Sequence, residues 1–362
     1  MIEIKERIRC ITAELTMAKN INLKHAQMKK IFLSLLAALC LAACNQVKKS
    51  DSPMPAAPFF GEITQVTEPV IFAPGYVSTG LEELVLTFTP DGRECYWSIM
   101  FAGFETILSS RLENGRWTEP EVAPFAGKYY DGWPSIQPDG KRMFFHSSRP
   151  VTDSTSGITS RFNIWYMDRT ENGWSEPKIL GAPVNGTETT TCPSVAKNGT
   201  IYVSKRFSND TEKLCRAEYI DGAYTKLEVL PDNVNTLKNN FHGSISPDES
   251  YLVRPLYGRA DNIGDGWNYY VSFRSKDGKW SDLINLGQKV NSLICSGATS
   301  FSTDGKFLFF QARAPFKLTY ELDRKYSLKE MLDVELRSPG KGSSDIYRID
   351  AKIIEELRPK EK

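Results

Sequence analysis

The chain has 362 residues, and its 45 Lys and Arg are balanced by 44 Asp and Glu, which leaves a net charge of +1. This balance argues against a protein that binds nucleic acid or a membrane through a strongly basic surface. The length suits one large domain preceded by an export signal, and we expect no cofactor.

The amino-terminal region has the pattern of an exported lipoprotein. A basic start at 28–30 precedes an apolar run over 31–41, which is too short for an ordinary membrane span. The next residues, Leu41-Ala42-Ala43-Cys44, resemble the bacterial lipobox, whose cysteine is lipidated and begins the mature chain. The resemblance implies lipidation of Cys44, and Asn45 after it points to the outer membrane. The alternative is a cytosolic helix that ends at Cys44 by chance.

These signals divide the chain into predicted segments. Residues 1–27 are a mis-assigned extension before the true start at Met28, 28–43 are the signal peptide, and 44–58 are a flexible tether rich in Ser, Pro, Lys and Ala. Residues 59–362 form the folded domain. We expect this domain to face the periplasm in the cell envelope, held at the membrane by the lipid on Cys44.

A turn phrase recurs along the folded domain at intervals of about fifty residues, a period typical of propeller blades. Pro presets one backbone angle and Gly permits a positive one, so each copy predicts a tight hairpin between the first two strands of a repeat. The five copies are Phe88-Thr89-Pro90-Asp91-Gly92, Ile136-Gln137-Pro138-Asp139-Gly140, Val195-Ala196-Lys197-Asn198-Gly199, Ile245-Ser246-Pro247-Asp248-Glu249 and Phe301-Ser302-Thr303-Asp304-Gly305.

A second phrase follows most copies and pairs a polar-Gly turn with an aromatic residue. It predicts the hairpin between the third and fourth strands, so that each repeat is a four-stranded meander. In the second repeat the predicted strands are 134–137, 142–147, 163–168 and 174–180. The phrases are Asn114-Gly115-Arg116-Trp117, Asn172-Gly173-Trp174, Asp221-Gly222-Ala223-Tyr224 and Asp277-Gly278-Lys279-Trp280.

The turn phrase also resembles a known family. Residues 135–141 match the Ser-x-x-Pro-Asp-Gly-Lys signature of the WD40-like repeats of TolB-like periplasmic propellers, and 300–306 differ from it only at Thr303. Asn198 and Glu249 make two other copies degenerate. The resemblance spans roughly 65–350 and implies an all-β fold, a single β-propeller of four-stranded blades. It says little about activity, because such propellers host binding and catalysis alike.

The ends of the domain bear on how the ring closes. The last repeat supplies strands at 300–310 and 345–349, and we expect residues 68–74 to add its outer strand, which removes the free sheet edges. This gives five blades. Six blades remain the alternative if both ends contribute more strand. The tail at 352–357 fits a short helix packed on the outside as well as a strand.

Cysteine usage leaves a choice open. Cys95, Cys192, Cys215 and Cys295 remain in an oxidising compartment, and they allow three disulfide pairings that the sequence does not distinguish. Buried unpaired thiols are the favoured alternative. No Cys and His spacing predicts a metal site.

Connection lengths predict where a ligand binds. In a meander the first-to-second and third-to-fourth turns share one face, here called the turn face, and they are short. The opposite face, here called the insertion face, carries the long connections. Long loops on a rigid scaffold are common recognition sites, so we expect the site at the channel mouth on this face. The insertions are 149–161, 231–241, 256–266 and 312–342, the last with a predicted helix at 327–336.

Two sets of residues are predicted to meet at this mouth. Equivalent positions at the starts of the innermost strands hold Trp133 and His242, and the second strands end in cationic residues that include Arg149, Arg206 and Arg313. Together with nearby tyrosines they suit an acidic sugar, a phosphate or a carboxylate-bearing peptide, because arginine offers a bidentate fork. The alternative is that these arginines pair with acidic residues of neighbouring loops.

The catalytic signals are weaker than the binding signals. Asp131, Glu188 and Asp261 lie on the insertion face, but no spacing selects two of them as a hydrolytic pair, and no nucleophile elbow, HExxH or P-loop is present. The sequence therefore favours a non-catalytic binding or scaffolding lipoprotein that recognises an envelope protein or glycan. A carbohydrate-active or lactone-active propeller enzyme is the alternative.

Overall fold

The computed structural model describes residues 56–61, 65–153, 155–207, 211–236, 242–264, 266–313, 324–331, 339 and 343–360. They belong to the compact unit Met54–Lys362. The predicted extension, the signal peptide, Cys44 and most of the tether lie outside the described residues. So do residues 332–336 of the predicted helix at 327–336, of which 328–331 are described and helical.

The described fold is all-β and antiparallel, built from consecutive meanders. A short strand β1 (Val70–Ile71) precedes them. The first meander comprises β2 (Glu82–Phe88), β3 (Glu94–Phe101), β4 (Phe104–Glu113), β5 (Arg116–Trp117) and β6 (Glu121–Val122). The second comprises β7 (Asp131–Ile136), β8 (Arg142–Ser147), β9 (Asn163–Thr170), β10 (Gly173–Trp174) and β11 (Lys178–Ile179).

The remaining meanders have the same strand order, but the fourth and the last are joined into one eight-stranded sheet, in which Trp267 pairs with Cys295. The third comprises β12 (Thr190–Val195), β13 (Ile201–Arg206), β14 (Glu212–Ala217), β15 (Tyr219–Ile220), β16 (Ala223–Tyr224) and β17 (Glu228–Val229). The fourth comprises β18 (Ser244–Ile245), β19 (Tyr251–Tyr257), β20 (Trp267–Phe273) and β21 (Ile284–Asn285), and is followed by helix α1 (Gln288–Asn291). The last comprises β22 (Ile294–Phe301), β23 (Phe307–Arg313) and β24 (Asp345–Asp350), and is followed by helix α2 (Lys352–Glu355).

The repeated aspartates form the first turn of each meander. Asp91 Oδ1 accepts hydrogen bonds from Thr89 Oγ1 at 2.6 Å and from the backbone N–H of Arg93 at 3.1 Å. Asp248 and Asp304 accept the equivalent pairs of bonds. Such local bonds are the reason aspartate is favoured in turns, so these carboxylates are occupied by their own backbone.

Three of the four strands of the second meander differ from their predicted bounds, and β9 runs to Thr170 rather than to 168. Strand β8 occupies the predicted 142–147, but β7 starts at Asp131, three residues earlier than expected, and contains a bulge between Gly132 and Ser135. The predicted outer strand is divided into β10 and β11, because its register against β9 shifts by one residue between Trp174 and Lys178 and Pro177 has no N–H to donate.

The innermost strands contact one another in a cycle. Strand β2 contacts β7 and β22, β12 contacts β7 and β18, and β18 contacts β22. Meanders arranged in this way around an axis form a β-propeller. The repeat's Ser or Thr cross-links neighbours: Thr87 Oγ1 accepts from Ile136 N at 3.2 Å, and Ser194 Oγ accepts from Ile245 N at 3.0 Å.

Both ends of the described domain join the last sheet. Strand β1 pairs antiparallel with β24, with Val70 opposite Arg348 and Ile71 opposite Tyr347. The tail at 352–355 is helix α2 rather than a strand, and its Ile354 is buried in the core of the last two meanders. An apolar residue placed once per turn suits a short helix packed against the sheet.

Aromatic residues fill the spaces between the sheets. Trp117 is fully buried among Phe60, Phe72 and Phe88, and Trp280 is buried beside Tyr202. These two aromatic residues, which follow polar-Gly turns, therefore pack as wedges in the core. The four cysteines of the folded domain are unpaired, and all except Cys192 are buried.

Candidate functional site

Trp133 lies at the mouth of the channel between the innermost strands. It starts the bulge of β7 with a positive φ of 54°, and its N–H donates to Ser98 Oγ at 2.8 Å. Its ring packs against Leu84 of the first meander and Ala298 of the last, and its centroid is 4.7 Å from that of His242 in the fourth. One half-buried side chain thus contacts three other meanders.

The channel beneath Trp133 is narrow. It is lined by the innermost strands, with the hydroxyl-bearing residues Ser135, Ser194, Ser244 and Thr299 among them, and its volume is about 40 Å³. A volume of this size holds a water molecule or two but not a sugar ring. The channel itself therefore has no room for a sugar-sized ligand.

His146 is a buried hydrogen-bond relay beside Trp133. Its Nδ1 accepts the backbone N–H of Cys192 at 3.3 Å, so Nε2 carries the proton and donates to Glu105 Oε2 at 3.1 Å. Its ring centroid is 5.8 Å from that of Trp133. Cys192 also has a positive φ, of 53°, and Ser98 accepts the equivalent N–H from Trp133. His146 thus holds the strained backbone of Cys192, and Ser98 holds that of Trp133 in the adjacent meander.

Gly132 is required by this relay. A Cβ at this position would lie 1.9 Å from Glu105 Oε1, far inside contact distance. The absence of a side chain lets the buried carboxylate of Glu105 lie against β7. The sequence indicated neither Glu105 nor the need for Gly132, because their contact joins two different meanders.

His242 is buried and neutral. Burial lowers the pKa of its imidazole to about 4, and its Nε2 donates to the carbonyl oxygen of Gly297. The ring is therefore an uncharged wall of the mouth at neutral pH. The structure brings Trp133 and His242 together, as predicted from their equivalent positions.

Arg149 forms its hydrogen bonds within and directly before its own meander. Its Nη2 donates to Asp131 Oδ1 at 2.8 Å and to Phe125 O at 2.9 Å, and its Nε donates to Ser147 Oγ at 3.0 Å. The side chain is 9% exposed and that of Asp131 is fully buried. These contacts favour a structural role for this arginine.

The other predicted cations differ in their pairing. Arg206 lies 3.5 Å from Glu212 Oε2, and Lys205 lies 3.5 Å from Glu188 Oε2. Arg313 ends β23 as an exposed residue and has no ion pair within the described ranges. The cationic ring predicted from the sequence is therefore largely neutralised by carboxylates.

Glu83 is a buried acid that the sequence did not single out. Its Oε1 accepts from Thr79 Oγ1 at 2.6 Å and from Thr79 N at 3.2 Å. Burial, helped by the nearby Asp345, raises its pKa to about 8. Glu83 therefore carries a proton at neutral pH. Its place in the run Glu82-Glu83 gave no signal, because surface strands commonly carry such pairs.

No helix in the described part of the chain has the length and apolarity to cross a membrane. No group of three or more His, Cys, Asp or Glu side chains within the described ranges is placed to hold a metal ion.

Comparison with known proteins gives matches among solved structures alone. No protein-family model matches the chain, and no curated protein matches it. TolB from Acinetobacter baumannii is 19% identical, with 64% of this chain aligned and a TM-score of 0.42; the chain spans 49% of that protein. The catalytic domain of the Coprinopsis cinerea GH62 α-L-arabinofuranosidase is 11% identical, with 81% of this chain and 98% of that chain aligned and a TM-score of 0.43.

Proposed function

We propose that the chain is a five-bladed propeller closed by its amino-terminal strand. The five meanders correspond to the blades, and β1 supplies the outer strand of the last one. The cycle of contacts among the innermost strands and the β1–β24 pairing support this proposal. The hydrogen bond from Phe72 N to Ile346 O, at 2.8 Å, extends that pairing by one residue.

We propose, second, that this domain is held in the cell envelope by a lipid on Cys44. The support is the sequence alone: a basic start, a short apolar run and a lipobox-like tetrapeptide, followed by Asn45. Attachment to the outer membrane and a periplasm-facing domain belong to the same proposal.

The proposed activity is non-catalytic binding of an envelope glycan, carried by Trp133. A bulky residue with a positive φ costs about 1–3 kcal/mol and persists where the surroundings enforce it, often at ligand clamps. Here the Ser98 bond and contacts to three other meanders hold the ring at the axis, and it remains half-buried. A fixed aromatic face above a closed channel suits stacking against a sugar ring.

The charges around Trp133 favour a hydroxyl-rich ligand over a simple anion. Arg149 and Arg206 are paired with carboxylates, whereas Glu105 Oε1 and Asp131 Oδ2 are buried without a protein hydrogen-bond partner. Carboxylate oxygens accept hydrogen bonds, so near the mouth they suit bridging waters that sugar hydroxyls can reach, and they disfavour phosphate. Arg313, at the edge of the insertion face, is the candidate contact for an acidic substituent on such a glycan.

A direct titration tests this binding site. Neutral oligosaccharides and peptidoglycan disaccharide fragments are titrated into the purified domain while heat and tryptophan fluorescence are recorded. Trp133→Ala should weaken binding at least tenfold, and Trp174→Ala, on the turn face, should leave it unchanged. Equal affinity of the wild type and Trp133→Ala would remove Trp133 from the site.

One observation favours the alternative of an envelope hydrolase. Glu83 holds a proton at neutral pH beside a second carboxyl, Asp345, and a protonated acid near a carboxylate is the arrangement that glycoside hydrolysis uses. Release of a chromophore from aryl glycosides by the wild type, lost in Glu83→Gln, would establish the enzyme. Binding of a glycan without its hydrolysis would establish the non-catalytic binding protein.

A further inference from the structure

The first described residues are docked on the turn face. Ala56 forms a β-bridge with Arg116, and Phe59 N donates to Gly92 O at 3.1 Å. Trp117 Nε1 donates to Ala57 O at 2.8 Å. Gly92 belongs to the turn between β2 and β3, and Arg116 follows the turn between β4 and β5. The chain therefore enters the domain at the side opposite Trp133.

Two phenylalanines hold residues 56–61 against the domain. Phe60 is 6% exposed, and its ring stacks on Trp117 with 4.1 Å between centroids and 9° between planes. Phe59 packs edge-on against Phe88 at 5.2 Å. Both residues have positive φ, of 52° and 55°, a conformation that bulky side chains adopt only where contacts enforce it. Residues 56–61 are thus held on the turn face by specific contacts.

From this geometry we propose that the turn face lies towards the lipid bilayer, and that the insertion face with Trp133 is directed away from it. The proposal rests on the lipid anchor at Cys44 proposed above. In this orientation the turn face contacts the membrane surface, and the proposed glycan site is open to the aqueous compartment.

The length of chain between anchor and docking segment supports this orientation. Residues 45–55 separate Cys44 from Ala56. A flexible chain of that length has an end-to-end distance of about 18 Å, and a fully extended one reaches about 38 Å. A compact domain of some 300 residues has a radius of gyration of about 19 Å, which for a sphere gives a diameter of about 50 Å. The extended tether is shorter than this, so it does not let the insertion face lie on the bilayer.

Energy transfer to the membrane measures the orientation. The full-length lipidated protein is reconstituted into vesicles of phosphatidylethanolamine and phosphatidylglycerol that carry a rhodamine-labelled lipid as acceptor. A donor dye is attached to Glu171→Cys, exposed in the β9–β10 turn, or to Phe101→Cys, 59% exposed at the end of β3 on the insertion face. The wild type, whose Cys95, Cys215 and Cys295 are buried, gives the labelling background.

The expected result is a larger loss of donor fluorescence at position 171 than at position 101. Phe60→Ala, which removes the stack on Trp117, should release the docked segment, lengthen the tether and narrow that difference. Equal or reversed transfer at the two positions would overturn the orientation, and an unchanged difference in Phe60→Ala would overturn the role of the docked segment.

The two proposals fail in different ways. Protein that does not float with the vesicles lacks the anchor, which removes the lipid attachment at Cys44 and gives no transfer at either position. Protein that floats but transfers equally from both positions keeps the anchor and loses the orientation.

Discussion

The ring of Trp133 in the second meander lies 4.7 Å from the ring of His242 in the fourth, at equivalent positions of two repeats. This contact crosses the channel, because the third meander separates the two strands along the chain. The wall that the imidazole offers is uncharged, since burial lowers its pKa to about 4. The mouth is therefore built around an aromatic pair rather than around a cation.

His242 predicts a loss of stability in acid. Its pKa is lower in the folded state than the ordinary 6.5, so the unfolded state binds the proton more readily. The free energy of unfolding should fall as the pH drops from about 6.5 towards about 4. His242→Gln, which does not titrate, should show a shallower fall in urea titrations across this range. Parallel curves for the two proteins would assign the acid sensitivity elsewhere.

Glu83 predicts a loss of stability in the opposite direction. Its pKa is raised to about 8, so its contribution is fully present below about pH 4.5 and is lost as the pH rises through about 8. Glu83→Gln should be more stable than the wild type at pH 9, by a few kcal/mol at most. Glu82→Gln, at the neighbouring half-buried position, is the control. If the urea concentration at the midpoint of unfolding of the wild type does not change between pH 6 and pH 9, the raised pKa of Glu83 is contradicted.

The close approach of Glu105 to Gly132 predicts that a single methyl group added at position 132 strongly destabilises the fold. In Gly132→Ala the new Cβ would overlap Glu105 Oε1, so the buried carboxylate must move away from His146. We expect a destabilisation of roughly 2–4 kcal/mol, as for other overpacked or disrupted buried contacts. Gly181→Ala is the matched control, because no heavy atom lies within 4 Å of its Cβ. Equal melting temperatures for the two variants would refute the close approach.

Arg149 and Arg313 should separate structure from binding. Arg149→Ala leaves the buried Asp131 without its cation, and breaking such a pair costs about 3–5 kcal/mol. Arg313→Ala removes an exposed side chain and should leave the melting temperature within a degree or two. If Arg149→Ala melts normally and loses glycan binding instead, the arginine acts on the ligand rather than on the fold.

Cys44 predicts the cellular location. Cys44→Ala should move the protein from the membrane fraction to the soluble fraction or stall its processing, because a chain without acyl groups has no stable hold on the bilayer. Cys192→Ala is the control for loss of a thiol. A Cys44→Ala protein that is processed normally and still sediments with membranes would contradict the anchor.

The sequence predicted the elements that local chemistry determines. The turn residues located β8 at 142–147, and the equivalence of repeats placed Trp133 and His242 at one mouth. It did not indicate Glu83 or Glu105, because their burial arises from contacts between meanders. It left open whether Arg149 pairs with an acidic residue; the register that places Asp131 opposite Ser147 brings this carboxylate to the arginine.

The pairing of β1 with β24 is expected to form late during folding. Val70 and Arg348 come from opposite ends of the folded domain, so the edge of the last sheet stays open until nearly the whole chain is available. Contacts of such long sequence separation form late, because the entropy of closing the chain must be overcome first. For a chain exported as proposed above, the last sheet is completed only after the final strand has left the translocation channel.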